Sequence, residues 1–159
     1  MSLEDRIKVL EQRLARLEKR GPLMGDISPK LTVTPEGGLA IKLVAQEALT
    51  LGEVVQAGTT DGKVSKNAID GDMPIGVVYA TAAQDADVWI VVAGLCSVLP
   101  EAAVTLAQAD IIFSSDATAG RVDKDAALPT VALLNRQVGH CLVDGTGAGA
   151  AALCVLQFN

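Results

Sequence analysis

The stretch LTVTPEGGLAIKL, residues 31–43, decides the fold of this chain, because it holds two alternating segments around a glycine turn. In residues 31–34 and 39–43, Leu, Ile or Val alternates with Ala, Thr or Lys, and Glu36-Gly37-Gly38 lies between the two segments. A period of two predicts a strand, and a short loop that contains glycine predicts a hairpin. The sequence therefore predicts an antiparallel hairpin at the start of a β domain.

The remainder of the chain continues as short apolar segments that are separated by turn residues. The turn signals are Asp61-Gly62, Asp70-Gly71, Ala119-Gly120 and Asp144-Gly145. Short strands at this spacing are typical of an all-β barrel or sandwich. The further predicted strands are 54–57, 63–65, 75–80, 88–93, 111–114, 138–143 and 153–158.

The chain after the first hairpin also contains the same series of motifs twice. A Thr-Leu turn leads to a Gly-basic-Val turn, and an apolar-Gly dipeptide then precedes an apolar segment. The first set is Thr50-Leu51, Gly62-Lys63-Val64, Ile75-Gly76-Val77 and 88–92. The second set is Thr105-Leu106, Gly120-Arg121-Val122, Val138-Gly139-His140 and 153–156. This order predicts two similar β units that close one barrel around a shared core.

The first twenty residues follow a helical period instead. Leucine or isoleucine recurs at spacings of four and three, which is a heptad seam with Ile7 and Leu14 at position a. Gly21-Pro22 then ends the predicted helix. The narrow seam favours a self-associating coiled coil, and the alternative is an amphipathic helix that lies on its own domain.

Charged residues predict the number of helices in this coiled coil. The pattern from Arg6 to Glu11 is repeated from Arg13 to Glu18, and it resembles the trimerisation motif of parallel three-stranded coiled coils. Each arginine can cover an apolar layer while its guanidinium meets a glutamate of the next helix. The predicted trimerisation residues are Leu3, Arg6, Ile7, Leu10, Glu11, Arg13, Leu14, Leu17 and Glu18.

Composition and charge exclude several classes of protein. Apolar side chains make up 50% of the 159 residues, which is too many for a disordered chain. After residue 20 the chain holds seven Lys/Arg and fifteen Asp/Glu, so it would repel phosphate and we expect no nucleic-acid partner. The longest apolar run, residues 88–96, is too short for a membrane-spanning helix, and we expect no membrane partner.

The residues that usually carry catalysis do not form a recognisable set. The single histidine, His140, alternates with Cys141 along a predicted strand, so the two side chains point to opposite faces. Cys96, Cys141 and Cys154 cannot all pair, and they are interpreted as buried reduced thiols. The glycine-rich loop 145–149 lacks the helix that a phosphate-binding loop requires. We therefore expect no catalytic residues, no metal, no cofactor and no enzyme activity.

From Leu39 to Phe158 the chain resembles the small, β-rich capsid decoration (cement) proteins of tailed phages. The motifs that carry this resemblance are LTLGEVVQAGTTDGKV (49–64), PIGVV (74–78), VWIVVAGL (88–95) and AGRV (119–122). The resemblance implies a β-tulip-like barrel and trimers that sit at three-fold or quasi-three-fold positions of the shell. Family members usually carry Gly-Asp before a strand of the second unit, where this chain has Ala109-Asp110.

The expected fold is thus mainly β, a small antiparallel barrel or sandwich preceded by an N-terminal α-helical coiled coil. The expected domains are a trimeric coiled-coil helix (1–20), an extended arm with the first hairpin (21–45) and a β-barrel decoration domain (46–159). The expected function is that of a homotrimeric cement protein on the outer capsid surface of the virion, made in the host cytoplasm. It would clamp neighbouring major capsid subunits and stabilise the expanded shell.

The extended arm is the predicted capsid contact, because an extended segment can add a strand to a sheet of the shell. The predicted contact residues are Leu23, Ile27, Leu31, Val33, Leu39 and Ile41. The alternative for this segment is an ordinary first strand of the β domain. The alternative function is a trimeric receptor- or glycan-binding module of a phage tail fibre or spike, although aromatic residues for sugar stacking make up only 3% of the chain.

Overall fold

The computed structural model describes residues 30–124 and 131–158, which form ten strands and one helical turn. The elements are β1 (Leu31–Val33), β2 (Leu39–Ala45), β3 (Val54–Ala57), β4 (Lys63–Lys66), β5 (Gly76–Val78), β6 (Asp87–Val98), β7 (Ile111–Ser114), β8 (Val122–Lys124), α1 (Val131–Leu134), β9 (Gln137–Val143) and β10 (Ala152–Leu156). Over this part of the chain, no helix is both long enough and apolar enough to cross a membrane.

The predicted first hairpin is formed by β1 and β2. The two strands are antiparallel, with Leu31 opposite Ile41 and Thr32 opposite Ala40. Thr34 closes the turn, because its N–H donates to the carbonyl of Gly38 at 2.7 Å and its hydroxyl accepts the N–H of Gly38 at 2.9 Å. The period of two and the glycine turn therefore identified this element correctly.

The first unit is a closed ring of five strands. β2 pairs in parallel with β4, and β4 pairs with β3, β3 with β5 and β5 with β6, all antiparallel. The first half of β6 returns to pair with β2 and closes the ring. Because side chains alternate along each strand, one set fills the ring. This core contains Ala45, Leu49, Val55, Val64, Val78, Val88 and Ile90.

The second unit repeats this ring with the second half of β6 as its first strand. β6 pairs with β10, and the order continues through β9, β7 and β8, all antiparallel. The ring closes where Val122 of β8 lies parallel to the chain that follows β6: its N–H donates to Leu99 at 3.1 Å, and its carbonyl accepts from Glu101 at 2.9 Å. β6 passes from one unit to the other at Gly94, whose φ is +84°.

Each unit contains the same local hydrogen bond, in addition to the same strand order. The N–H of Thr50 donates to the carboxylate of Glu53 at 2.7 Å, and the N–H of Ala107 donates to the carboxylate of Asp110 at 2.8 Å. Thr50 therefore corresponds to Ala107, although the sequence motifs had matched Thr50 with Thr105. Ala109 takes the conformation of Gly52, with φ of +73° against +83°.

The structure corrects the expected fold class in three respects. It is mainly β, but the chain closes two rings instead of one barrel. One core cluster fills the first ring, and the other joins the core of the second ring to the outer side of the first. The strand pairs also include parallel ones, so the sheet is not purely antiparallel. The described residues contain no helix longer than the single turn α1, so an α-helical coiled coil is not part of the fold that the structure supports. The predicted coiled coil over 1–20 lies outside the described residues.

Candidate interaction surface

The three cysteines lie side by side in the core of the second unit. Cys154 of β10 is opposite Cys141 of β9 and opposite Cys96 of β6, and all three are buried and free. Burial raises the pKa of the Cys96 thiol to about 12, and it raises the pKa of the Cys141 and Cys154 thiols as well. These thiols remain protonated near neutral pH, which confirms the interpretation as buried reduced thiols. The matching positions of the first unit are aliphatic: Ile41, Val78 and Ile90.

The histidine and one of the acidic residues, Asp70, contact polar or charged neighbours. His140 is half-buried on the outer side of β9, and its Nε2 lies 3.4 Å from Nε2 of Gln137. The carboxylate of Asp70 forms an ion pair with Arg136 at 2.8 Å. Among the described residues, no three His, Cys, Asp or Glu side chains are grouped so that they could hold a metal ion.

Two acid–lysine pairs occupy equivalent places in the two units. Glu53 pairs with Lys66 at 3.0 Å, and Asp110 pairs with Lys124 at 2.8 Å. Burial acts to raise the pKa of Asp110, but the hydrogen bonds from Lys124 and from the N–H of Ala107, with the lysine charge, lower it overall. Each acid also caps the turn before its strand, so both pairs are part of the folded framework.

The predicted capsid-contact residues fall partly on the first hairpin. Leu31 and Val33 lie on β1, Leu39 and Ile41 lie on β2, and all four are half-buried. Leu23 and Ile27 lie outside the described residues, as do the nine predicted trimerisation residues. The arm thus includes an ordinary first strand over residues 31–33, as the alternative interpretation expected.

β1 is an edge strand with free backbone groups. The N–H of Lys42 donates to Lys30 at 2.9 Å and the N–H of Thr34 donates to Gly38, so the even-numbered residues of β1 face β2. The N–H and C=O groups of Leu31 and Val33 therefore point away from β2. In the described part of the chain no other strand pairs with this edge, so it can accept a strand from a partner.

The outer sides of the two units differ strongly in burial. In the first unit, Val54, Val77, Val91 and Ala40 are opposite one another across four strands, and all are fully buried. They belong to the same cluster as the core of the second unit. The second unit therefore covers the outer side of the first.

The same row in the second unit is not covered. It consists of Ile111, His140, Val155 and Leu95, which are again opposite one another across four strands. Val155 is 38% exposed, and Leu142, on the same side of β9 as His140, is 41% exposed. Ile111, His140 and Leu95 are half-buried. These five residues, four of them apolar, form a surface that we call the second-unit face. Sequence reasoning missed it, because an unbroken apolar run such as 153–156 does not reveal which side of the strand faces solvent.

Comparisons with known proteins bear on the fold. No protein-family model matches the sequence, and no curated protein matches it with significance. Among solved structures, the chain is similar to the N base of the head fiber protein gp8.5 of bacteriophage phi29, with a TM-score of 0.55. The similarity covers 74% of this chain and 92% of that chain at 10% sequence identity. The likeness shows that this chain shares the β fold of a phage head fiber base.

Proposed function

We propose that this chain is a non-enzymatic structural protein of a phage head. It acts as a homotrimeric decoration protein on the outer capsid surface, clamps neighbouring major capsid subunits and stabilises the expanded shell. The observation that carries this proposal is the second-unit face, which is mainly apolar and partly exposed while its counterpart in the first unit is fully buried. The fold shared with a phage head fiber base and the resemblance of its sequence motifs to those of decoration proteins support it.

The second-unit face joins copies of the chain to one another. Its counterpart in the first unit is buried against the second unit of the same chain, so of the two faces this one remains open to another copy. Burying Val155 and Leu142 removes apolar area from water, which is the dominant favourable term in association. The resemblance to decoration proteins implies three copies.

Replacing Val155 with lysine is expected to lower the assembled mass to that of a single chain. The lysine would place a charge in the middle of an apolar contact, while the exposed position lets the monomer fold normally. Sedimentation equilibrium measures the mass. Met73→Lys is the matched control, because Met73 is 69% exposed on the β4–β5 loop, away from this face. An unchanged mass for Val155→Lys would exclude this face as the contact between copies.

The edge of β1 contacts the shell. Its outward N–H and C=O groups at Leu31 and Val33 can continue the sheet into an extended segment of a capsid subunit. The three β1 edges of one trimer bind the same shell simultaneously. Once one edge is bound, the other two are held at a high effective concentration near the shell, so three modest affinities give a high overall affinity. Because binding favours the expanded shell over competing states, it stabilises that shell by mass action.

Replacing Val33 with proline is expected to weaken shell binding at least tenfold. Proline removes the outward N–H of residue 33, and it leaves the hydrogen bonds of Thr32 and Thr34 to β2 in place. Co-sedimentation with undecorated expanded shells of the phage that carries this gene measures the binding. Val33→Ala keeps the N–H and serves as the control. Equal binding by both variants would show that the shell does not pair with this edge.

A second candidate function is the base of a fibre on the phage head, and the likeness to the phi29 head fiber base favours it. Both candidates bind the shell, but only a cement protein raises the stability of the shell itself. Saturable binding to undecorated expanded shells, together with a higher temperature of shell disruption, supports the decoration role. Saturable binding without any change in that temperature favours the fibre base, and no binding contradicts both.

A further inference from the structure

Arg121 differs from the other cations of the two units. Five cationic side chains form ion pairs at 2.6–3.0 Å: Lys42, Lys63, Lys66, Lys124 and Arg136. Arg121 is half-buried, and it forms no ion pair or side-chain hydrogen bond with any residue that the structure describes. A guanidinium in a partly desolvated position is stabilised by an anionic partner, and Arg121 forms an ion pair with none of the described residues.

The internal repeat shows which partner is missing. Arg121 corresponds to Lys63, since each follows a glycine with φ of +75° in the Gly-basic-Val turn. The N–H of Lys63 donates to Thr60 at 3.1 Å, and the N–H of Arg121 donates to Thr118 at 3.2 Å. In the first unit, Lys63 pairs with the carboxylate of Asp85 at 2.6 Å.

The position of Asp85 is taken by glycine in the second unit. Asp85 and Gly149 both have positive φ, +61° and +71°. Each is followed by an alanine whose N–H closes a turn, from Ala86 to Ala83 at 3.2 Å and from Ala150 to Gly147 at 3.1 Å. Gly149 has no side chain, so the second unit keeps the cation of this pair and lacks its carboxylate.

The place of the missing carboxylate lies in an open groove of about 350 Å³ that Arg121 lines together with Gly149. Its other walls are Pro100, Glu101, Ala102, Thr118 and Ala148. The carboxylate of Glu101 is already engaged, because it accepts the hydroxyls of Ser115 and Thr118. The groove is large enough for an acidic side chain that enters from outside.

We propose that this groove binds an aspartate or glutamate side chain of a partner protein, presented on an acidic peptide segment. The incoming carboxylate takes the place at Arg121 that Asp85 takes at Lys63. Arginine suits this role because its planar guanidinium can donate two parallel hydrogen bonds to one carboxylate. Room for the ligand is given by the open groove itself, since no side chain of Gly149 extends toward Arg121. Gly149 packs closely against the wall of the groove, because a Cβ at this position would lie 3.1 Å from Cα of Ala102.

The test uses the full chain, labelled with ¹⁵N, and a blocked peptide acetyl-Gly-Ser-Glu-Ser-Gly-amide, with the glutamine peptide as its matched control. We expect the glutamate peptide to shift the side-chain Nε–Hε signal of Arg121, with saturation in the millimolar range. The glutamine peptide should leave that signal unchanged. Equal shifts with the two peptides, or no shift with either, would overturn the proposal. The assay contains no shell, so its failure leaves the capsid-binding proposal standing.

Variants of the groove give readouts that a purely structural Arg121 would not produce. Gly149→Asp should abolish peptide binding while Arg121 remains in place, because the new carboxylate occupies the guanidinium. Asp85 shows that aspartate accepts this backbone conformation, and the new Cβ, 3.1 Å from Cα of Ala102, requires only a small shift of that wall. Glu101→Gln, which copies Gln46 of the first unit, should tighten binding several-fold by removing a like charge. Asp85→Gly should create a second binding site at Lys63. Unchanged binding by Gly149→Asp would contradict the assignment.

Discussion

Replacing Gly139 with alanine is expected to unfold the second unit under conditions in which the native chain is folded. A Cβ at this position would lie 2.0 Å from the carbonyl oxygen of Val155 and 2.9 Å from its carbonyl carbon. Both atoms are backbone of β10, which pairs with β9, so they cannot withdraw without separating the two strands. We expect a loss of about 3 kcal/mol or more in the free energy of unfolding, a large share of the roughly 5–15 kcal/mol typical of domains.

The control for this prediction is Gly147→Ala in the loop between β9 and β10. A Cβ at Gly147 would meet nothing within 4 Å, so the change should stay within about 0.5 kcal/mol. Urea denaturation followed by Trp89 fluorescence measures both variants, because Trp89 packs against the core of the second unit. Equal midpoints for the two variants would show that β9 and β10 are not packed this closely.

Replacing Glu53 with alanine is expected to cost about 3 kcal/mol of stability. The side chain of Glu53 is only 5% exposed; one carboxylate oxygen accepts the N–H of Thr50 at 2.7 Å and the other lies 3.0 Å from Nζ of Lys66. Alanine leaves both donors without their acceptor beside the core of the first unit. Removing the buried partner of this pair is costly, because the ammonium of Lys66, whose side chain is 29% exposed, is then only partly solvated and has no compensating charge. Urea denaturation, extrapolated to water, measures the loss.

Asp110→Ala in the second unit is the matched control, since Asp110 makes the same two contacts but its side chain is 27% exposed. The expected loss is about 1 kcal/mol, as for an exposed ion pair with a cap. The folded pKa of Asp110 is lowered, so its contribution is present above the unfolded pKa of the carboxyl and is lost as the pH falls through the folded pKa. Equal losses for both variants would contradict the role given to burial.

Local periodicity predicted the elements of the fold well. The hairpin of β1 and β2 follows from alternation around Gly37-Gly38, and the repeated motifs correctly indicated two similar units. The register of the repeat was wrong, because the letters Thr-Leu occur at 50–51 and at 105–106, whereas the backbone hydrogen bonds match Thr50 with Ala107. The sequence match relied on the identical residues Thr-Leu. The physically relevant signal was the acid, Glu53 or Asp110, which accepts the backbone N–H of the residue three positions before it in the turn.

The sequence could not reveal how the units close or which surfaces they leave free. Ring closure depends on β2 and β6 each using two edges, and that follows from tertiary pairing rather than from local pattern. The exposure of the second-unit face also depends on tertiary packing. Val155 and Val91 occupy equivalent positions in the two units, but only Val91 is covered by another part of the chain. The sequence also could not show that Arg121 lacks the carboxylate that Lys63 has. That absence follows from matching Gly149 with Asp85 through their shared backbone conformation.

A cryo-electron microscopy map of expanded shells that have bound this protein tests the account most directly. We expect three copies around each three-fold or quasi-three-fold position, with the β1 edge against the capsid subunits and the second-unit face covered by the neighbouring copy. Solitary copies on the shell, or trimers in which Val155 and Leu142 remain open to solvent, would contradict it.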